Sequence, residues 1–207
     1  MQDRYTGDIG DYGKLGMLRY LAAAGPRVGV NWYRTPDEDH NEDGKFIQYV
    51  QASGQTSYRP YDPPLWDALA QIVNSGQRRV ESLETPAILD AVFFNEHLDF
   101  SNVPFREREE KRADWHSRAL AALDGCEIVF VDPDNGLMVP SARRSKKANK
   151  YVLPEELFDY YRQGASVVYY QHKARRQDGF YTDQHNKLLQ DERIQDAEGL
   201  GLKFTRT

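Results

Sequence analysis

Three observations predict an α/β domain with a mainly parallel, Rossmann-like sheet and helices on both faces. Short apolar segments of strand length alternate with longer segments of helical periodicity along the chain. Several strand segments end in acidic or amide residues, as in open α/β sheets, where ligands lie beyond the carboxyl ends of the strands. The chain has 207 residues without internal repeat or low-complexity tract, which is the size of one such domain.

The elements follow in order. Tyr12, Leu15, Leu18 and Leu21 recur at helical spacing in residues 11–24, and Gly25-Pro26 stops the run. Gly13 and Gly16 inside it each cost roughly 1 kcal/mol relative to alanine, so they mark a place where something approaches the helix backbone closely. Residues 28–33 read as a strand, and 35–44 as a polar loop. Residues 46–76 are expected to form a helical insertion in the single domain. Within it, Pro63 opens a helix that carries Leu65, Trp66, Leu69, Ile72 and Val73 and ends near Gly76. Residues 78–83 read as a strand, and Thr85-Pro86 as the start of a helix through Phe94. A helix over 114–123 ends at Asp124-Gly125, before a strand over 128–132. A long basic loop leads to a helix over 154–162, a strand over 166–171 and a helix over about 182–191. The alternating apolar segment 200–204 reads as a last strand, which leaves room for a natural chain that continues past Thr207.

Composition narrows the function. One cysteine, Cys126, rules out an internal disulfide framework and a multi-cysteine zinc site. It lies at the start of its strand, away from the polar tip, which argues against a nucleophile. His40, His97, His116 and His185 show no metal-ligand spacing with each other, and one or more of them read as ordinary surface residues. No secretory segment and no apolar run long enough to span a bilayer are present, so the expectation is a cytoplasmic protein without membrane contact. Net charge is −5, yet Arg143, Arg144, Lys146, Lys147, Lys150, Lys173, Arg175 and Arg176 gather in two loops. Of these, Arg143, Arg144, Lys150, Lys173, Arg175 and Arg176 are the candidate phosphate contacts for an RNA or DNA partner.

The strand 128–132 runs into Asp132-Pro133-Asp134-Asn135-Gly136. An acid at one strand tip ordinarily makes a turn or caps the next helix. Here three tips are loaded: Asp37 and its neighbours, then Asp132, Asp134 and Asn135, then Gln171, His172 and Lys173. That repetition favours a site. Asp132, Pro133, Asp134, Asn135 and His172 are its candidate catalytic residues, sharing one cleft with Asp8 and Asp11.

Gly7, Asp8, Asp11 and Lys14 in "GDIGDYGK", Asp114 after Ala113, and the strand-tip sequence "IVFVDP" stand in an order that resembles the class I, Rossmann-like S-adenosylmethionine methyltransferases. The nearest resemblance is to the family that methylates adenine N6 in large-subunit ribosomal RNA. That family carries Gly-Asn-x-x-Asp-x-x-Lys before its first strand and Asp-Pro-Pro-Tyr at its catalytic tip. The resemblance implies a methyltransferase acting on the amino group of a base, with S-adenosylmethionine as cofactor. It assigns Asp11 and Lys14 to the amino-acid end of the cofactor, Asp114 to its adenine, and Glu81 or Glu84 to its ribose. Asp132 would accept hydrogen bonds from the acceptor amine. The chain departs from the pattern: the glycine-rich cofactor loop is absent, and Asp134-Asn135 stand where the family has Pro-Tyr.

Two other readings stay open. Asp8, Asp11, Asp132 and Asp134 have the hard oxygens that hold Mg²⁺ or Mn²⁺, and a metal-dependent phosphodiesterase would use them with His172 or Lys150. Alternatively, the chain is a catalytically inactive binding protein on a methyltransferase-like fold.

Overall fold

A computed structural model describes residues 1–38, 44–173 and 177–204. It contains a four-stranded, all-parallel sheet of β1 (Val28–Asn31), β2 (Val92–Phe94), β3 (Ile128–Val131) and β4 (Ser166–Tyr169), in the order β2-β1-β3-β4. Val28 to Asn31 pair in register with Ile128 to Val131, and these in turn with Ser166 to Tyr169. The α/β reading therefore holds. Among the described residues no helix is long and apolar enough to cross a membrane.

Strand periodicity divides the core into two layers. Val28, Val30 and Phe130 face one side, where α1 (Ile9–Ala22) and α3 (Pro63–Ser75) bury Leu15, Leu18, Leu65 and Leu69. Val129 and Val131 face the other, where α4 (Arg108–Ala122) and α5 (Pro154–Arg162) bury Trp115, Ala119, Leu157 and Phe158. Gly29 sits under the end of α4, where a Cβ would come within 2.9 Å of Cys126 Sγ. The stretch 46–76 is helical, with α2 (Ala52–Ser57) and α3. Pro in the first turn and Gly76 at φ +71° bound α3.

Three sequence expectations fail locally. Residues 78–83 are not a strand: Val80–Leu83 is a 3-10 turn that buries Val80 and Leu83 at spacing three. Thr85-Pro86 opens no helix through Phe94. It makes a turn in which Thr85 O accepts from the N–H groups of Ile88 and Leu89, and Val92–Phe94 is a strand paired with β1. The short β-favouring run Val-Phe-Phe gains its pairing from β1, a long-range effect that local periodicity does not carry. Residues 200–204 form no strand. Leu200 and Leu202 are exposed, and the Phe204 ring lies against α1 where a Cβ on Gly13 would be 2.8 Å from it. The close approach expected at Gly13 is therefore made by the chain's own tail. Helix α6 (Asp178–Leu189) begins four residues earlier than the pattern suggested.

Candidate functional site

β2 flanks β1 on one side while β3 and β4 extend the sheet on the other, so the order of the strands reverses between the tips of β1 and β3. In open α/β sheets that reversal opens the ligand crevice. Here residues from the beginning of the chain are lodged in it. Met1 and Gln2 are buried. The Met1 ammonium donates to Tyr33 O at 2.9 Å and Asp132 O at 3.3 Å, and lies 2.7 Å from Asp134 Oδ1. Thr35 N donates to Met1 O. Gln2 Nε2 donates to Asp134 Oδ2 at 2.7 Å, while its Oε1 accepts from Glu38 N at 3.1 Å. Burial alone would raise the Asp134 carboxyl; the ammonium, Gln2 and Lys150 hold it below its ordinary value instead.

Beside this crevice the first helix meets the third strand. Asp8 caps α1 by accepting from Asp11 N at 3.0 Å, as expected of an aspartate at that position. Asp11 Oδ2 accepts from Gly7 N at 2.8 Å. One turn along, Lys14 reaches Asp132 Oδ2 at 2.8 Å. Its Nζ is also 2.9 Å from Asp11 Oδ1, an ion-pair distance without aligned hydrogen-bond geometry. The Tyr170 ring lies 5.2 Å from the ammonium. Asp11 and Asp132 are nearly inaccessible, and Lys14 is 14% exposed. Burial pushes both carboxyls up, Lys14 working against it. Burial would lower Lys14, yet Asp11, Asp132 and Asp8 hold it well above its ordinary value. The arrangement is one ammonium among three acids, largely withdrawn from solvent.

A second buried network was not foreseen. Arg112 Nε donates to Glu156 Oε1 at 2.6 Å and Nη2 to Oε2 at 2.7 Å, with further bonds to Ala148 O and Tyr151 O. Tyr33 OH donates to Glu156 Oε2 at 2.8 Å, and Leu153 N closes the start of α5 on the same oxygen. Burial would raise Glu156, but the guanidinium outweighs it and holds the carboxyl below its ordinary value. The sequence contained a signal: Arg112 falls in helical phase with Trp115, His116 and Ala119, the buried stripe of α4. His116 is buried on the same stripe, its Nε2 lying 3.1 Å from Asp159, whereas His97 is exposed.

The structure brings Asp8, Asp11, Lys14, Asp132, Pro133 and Asp134 to one sheet edge. Asn135 joins them through its backbone, its N–H donating to Lys150 O and its carbonyl accepting from Gln171. His172 does not turn into this cluster; its side chain is exposed, and its carbonyl accepts from Gln171. Lys150 is no exposed phosphate contact: it is buried, 2.5 Å from Glu38 and 3.6 Å from Asp134. Lys173 pairs with Asp178 at 2.5 Å. Arg143 and Arg144 are exposed, and His40, Arg175 and Arg176 lie outside the described residues.

The residues assigned to a cofactor do not form one cradle. Asp11 and Lys14 are engaged in the buried cluster. Glu81 pairs with Arg34, which also holds Asp3 at 3.0 Å. Glu84 accepts from Trp32 Nε1 and Asn95 Nδ2. Asp114 is on the exposed face of α4, paired with Arg118. Trp32 and Tyr33, both buried, follow β1 where a glycine loop would run. As folded, these positions do not fit S-adenosylmethionine. For the metal, no three His, Cys, Asp or Glu side chains converge as a ligand set among the described residues. The Lys14 ammonium stands where a cation shared by Asp11 and Asp132 would sit.

The turn after Asp134 gives a first prediction. Gly136 has φ +85°, and a Cβ there would collide with the Gln171 amide. That amide accepts from Leu137 N and donates to Asn135 O. Gly136→Ala should cost about 2–3 kcal/mol from left-handed backbone strain and weakened hydrogen bonds. The melting temperature should fall by roughly 4–12 °C; an unchanged melt would show that the turn relaxes freely.

No family model, curated protein or solved structure matches the chain.

Proposed function

We propose that this chain is a nucleic-acid-binding protein on a Rossmann-like fold, without catalysis at the strand-tip acids. One observation carries the reading: the division of charge. Asp11, Asp132, Asp134 and Glu156 are each paired inside the chain with Lys14, the Met1 ammonium, Lys150 or Arg112. The exposed Arg143, Arg144 and Lys147 have no acidic partner among the described residues, and Lys146 Nζ donates to Ser101 O. Inward acids already paired with internal cations suit stability, whereas outward cations without an acidic partner suit a polyanion.

A second reading keeps the methyltransferase activity on a base amino group. It is favoured by the meeting, at 2.8 Å, of Lys14 from the Gly7-to-Lys14 stretch with Asp132 from the strand tip.

Thermal melting with separate additions distinguishes them. A ligand at 100 times its dissociation constant adds about 2.7 kcal/mol, roughly 5–10 °C for a chain of this size. The proposal expects such a shift with a single-stranded oligonucleotide at low salt, and none with S-adenosylhomocysteine, Mg²⁺ or Mn²⁺. A shift with S-adenosylhomocysteine would replace it with the methyltransferase reading. A shift with metal alone, abolished in Asp134→Asn, would replace it with the phosphodiesterase reading.

A further inference from the structure

Two loops that leave the tips of β2 and β3 lie side by side. The loop after β2 passes Leu98, Ser101 and Phe105; the loop after β3 carries Arg143, Arg144, Lys146 and Lys147. Asn149 Nδ2 donates to Leu98 O at 2.7 Å and Lys146 Nζ to Ser101 O at 3.4 Å, fastening one loop to the other. Arg112 Nη1 adds a bond from α4 to Ala148 O. On the loop after β2, Phe105 presents a phenyl ring that is 59% exposed. The ring is not loose. The Arg108 guanidinium lies 5.9 Å from its centroid and 5.9 Å from that of buried Phe100, and Arg108 Nε is tied to Val103 O at 3.0 Å. Arg106, next in the chain, has a side chain that is 85% exposed and donates to Glu107 Oε1 at 3.2 Å.

We propose that this seam is where a single-stranded nucleic acid docks, with a base stacked on Phe105 and phosphates held by Arg106, Arg143, Arg144, Lys146 and Lys147. This rests on the nucleic-acid reading above. An exposed, braced ring flanked by cations is the combination that holds single strands: aromatic faces take bases of any sequence, and the cations track the backbone. A purely ionic partner would have no use for the ring. Glu107, Glu109 and Glu110 on the adjoining turn are all exposed. Their charge disfavours a broad anionic bilayer, which would have to meet them together with the basic loop.

The test is fluorescence anisotropy of a labelled single-stranded oligonucleotide, alongside its duplex and phosphatidylserine vesicles, with wild type, Phe105→Ala and Phe105→Trp. Phe105→Ala should weaken single-strand binding at least about fivefold, the low end of what one stacked base contributes. Phe105→Trp should retain it. The duplex, whose bases are already stacked, should bind more weakly than the single strand. Circular dichroism melts of both variants should match wild type, because the ring is largely exposed. Wild-type binding that is unchanged in Phe105→Ala would overturn this docking surface while leaving nucleic-acid binding intact. Equal binding of the duplex would do the same. No oligonucleotide binding at low salt would overturn both readings, as would binding of vesicles alone.

Discussion

Lys14→Met should be among the most destabilising single substitutions in this chain. It removes the ammonium that bridges Asp11 and Asp132 and leaves two buried carboxyls without their cation. Breaking a buried pair from one side costs about 3–5 kcal/mol, or roughly 6–20 °C in melting temperature. The loss should depend on pH, and its sign follows from the acids left behind. Burial already raises Asp11 and Asp132 in the folded chain, and losing Lys14 raises them further. A carboxyl raised by folding favours the folded state while protonated and disfavours it as pH rises through the folded value. The variant should therefore lose more stability near pH 8 than near pH 5. Asp132→Asn in the same chain should restore part of the loss, because the two side chains act as a pair. A Lys14→Met protein that melts like wild type would mean the cluster is hydrated and its charges screened.

Arg112→Met should produce a loss of similar size by a different route. It strips the guanidinium from Glu156, and with it the bonds to Ala148 O and Tyr151 O. The expected cost is again about 3–5 kcal/mol. In wild type the Glu156 carboxyl is held low, so its contribution is present above the ordinary carboxylate range and is lost as pH falls through the folded value. Glu156→Gln should accordingly lower the neutral plateau and flatten the acid limb of the stability curve. Guanidinium chloride melts of both variants across pH measure this; an acid limb as steep as in wild type would assign acid sensitivity to other carboxyls.

Some of this architecture is legible in the sequence and some is not, for identifiable reasons. Strands β1, β3 and β4 sit in apolar runs bounded by turn residues, and α3 and α5 are framed by proline at their starts. β2 escaped because three residues carry too little local signal and its pairing with β1 is long-range. At the strand tips, the spacing of Gly7, Asp8, Asp11 and Lys14 and the Asp-Pro-Asp-Asn tip pointed to one sheet edge, where the structure brings them together. What the sequence could not convey was who neutralises whom. Lys150 read as an outward phosphate contact because it sits in a basic run, yet Glu38 and Asp134 turn it inward. Met1 and Gln2 carried no signal at all, although they lodge in the crevice.

The most direct test of the account is the salt dependence of single-strand binding, comparing wild type with an Arg143→Ala/Arg144→Ala/Lys147→Ala variant. These three side chains are exposed, so the variant should keep its melting temperature. Removing one phosphate-binding cation should flatten the slope of log K against log salt by about 0.7, so the three together should flatten it by about 2. That flattening, with weaker binding at low salt, is the result this account predicts. A wild-type protein that binds no single strand at low salt, or a triple variant with the wild-type slope, would contradict it.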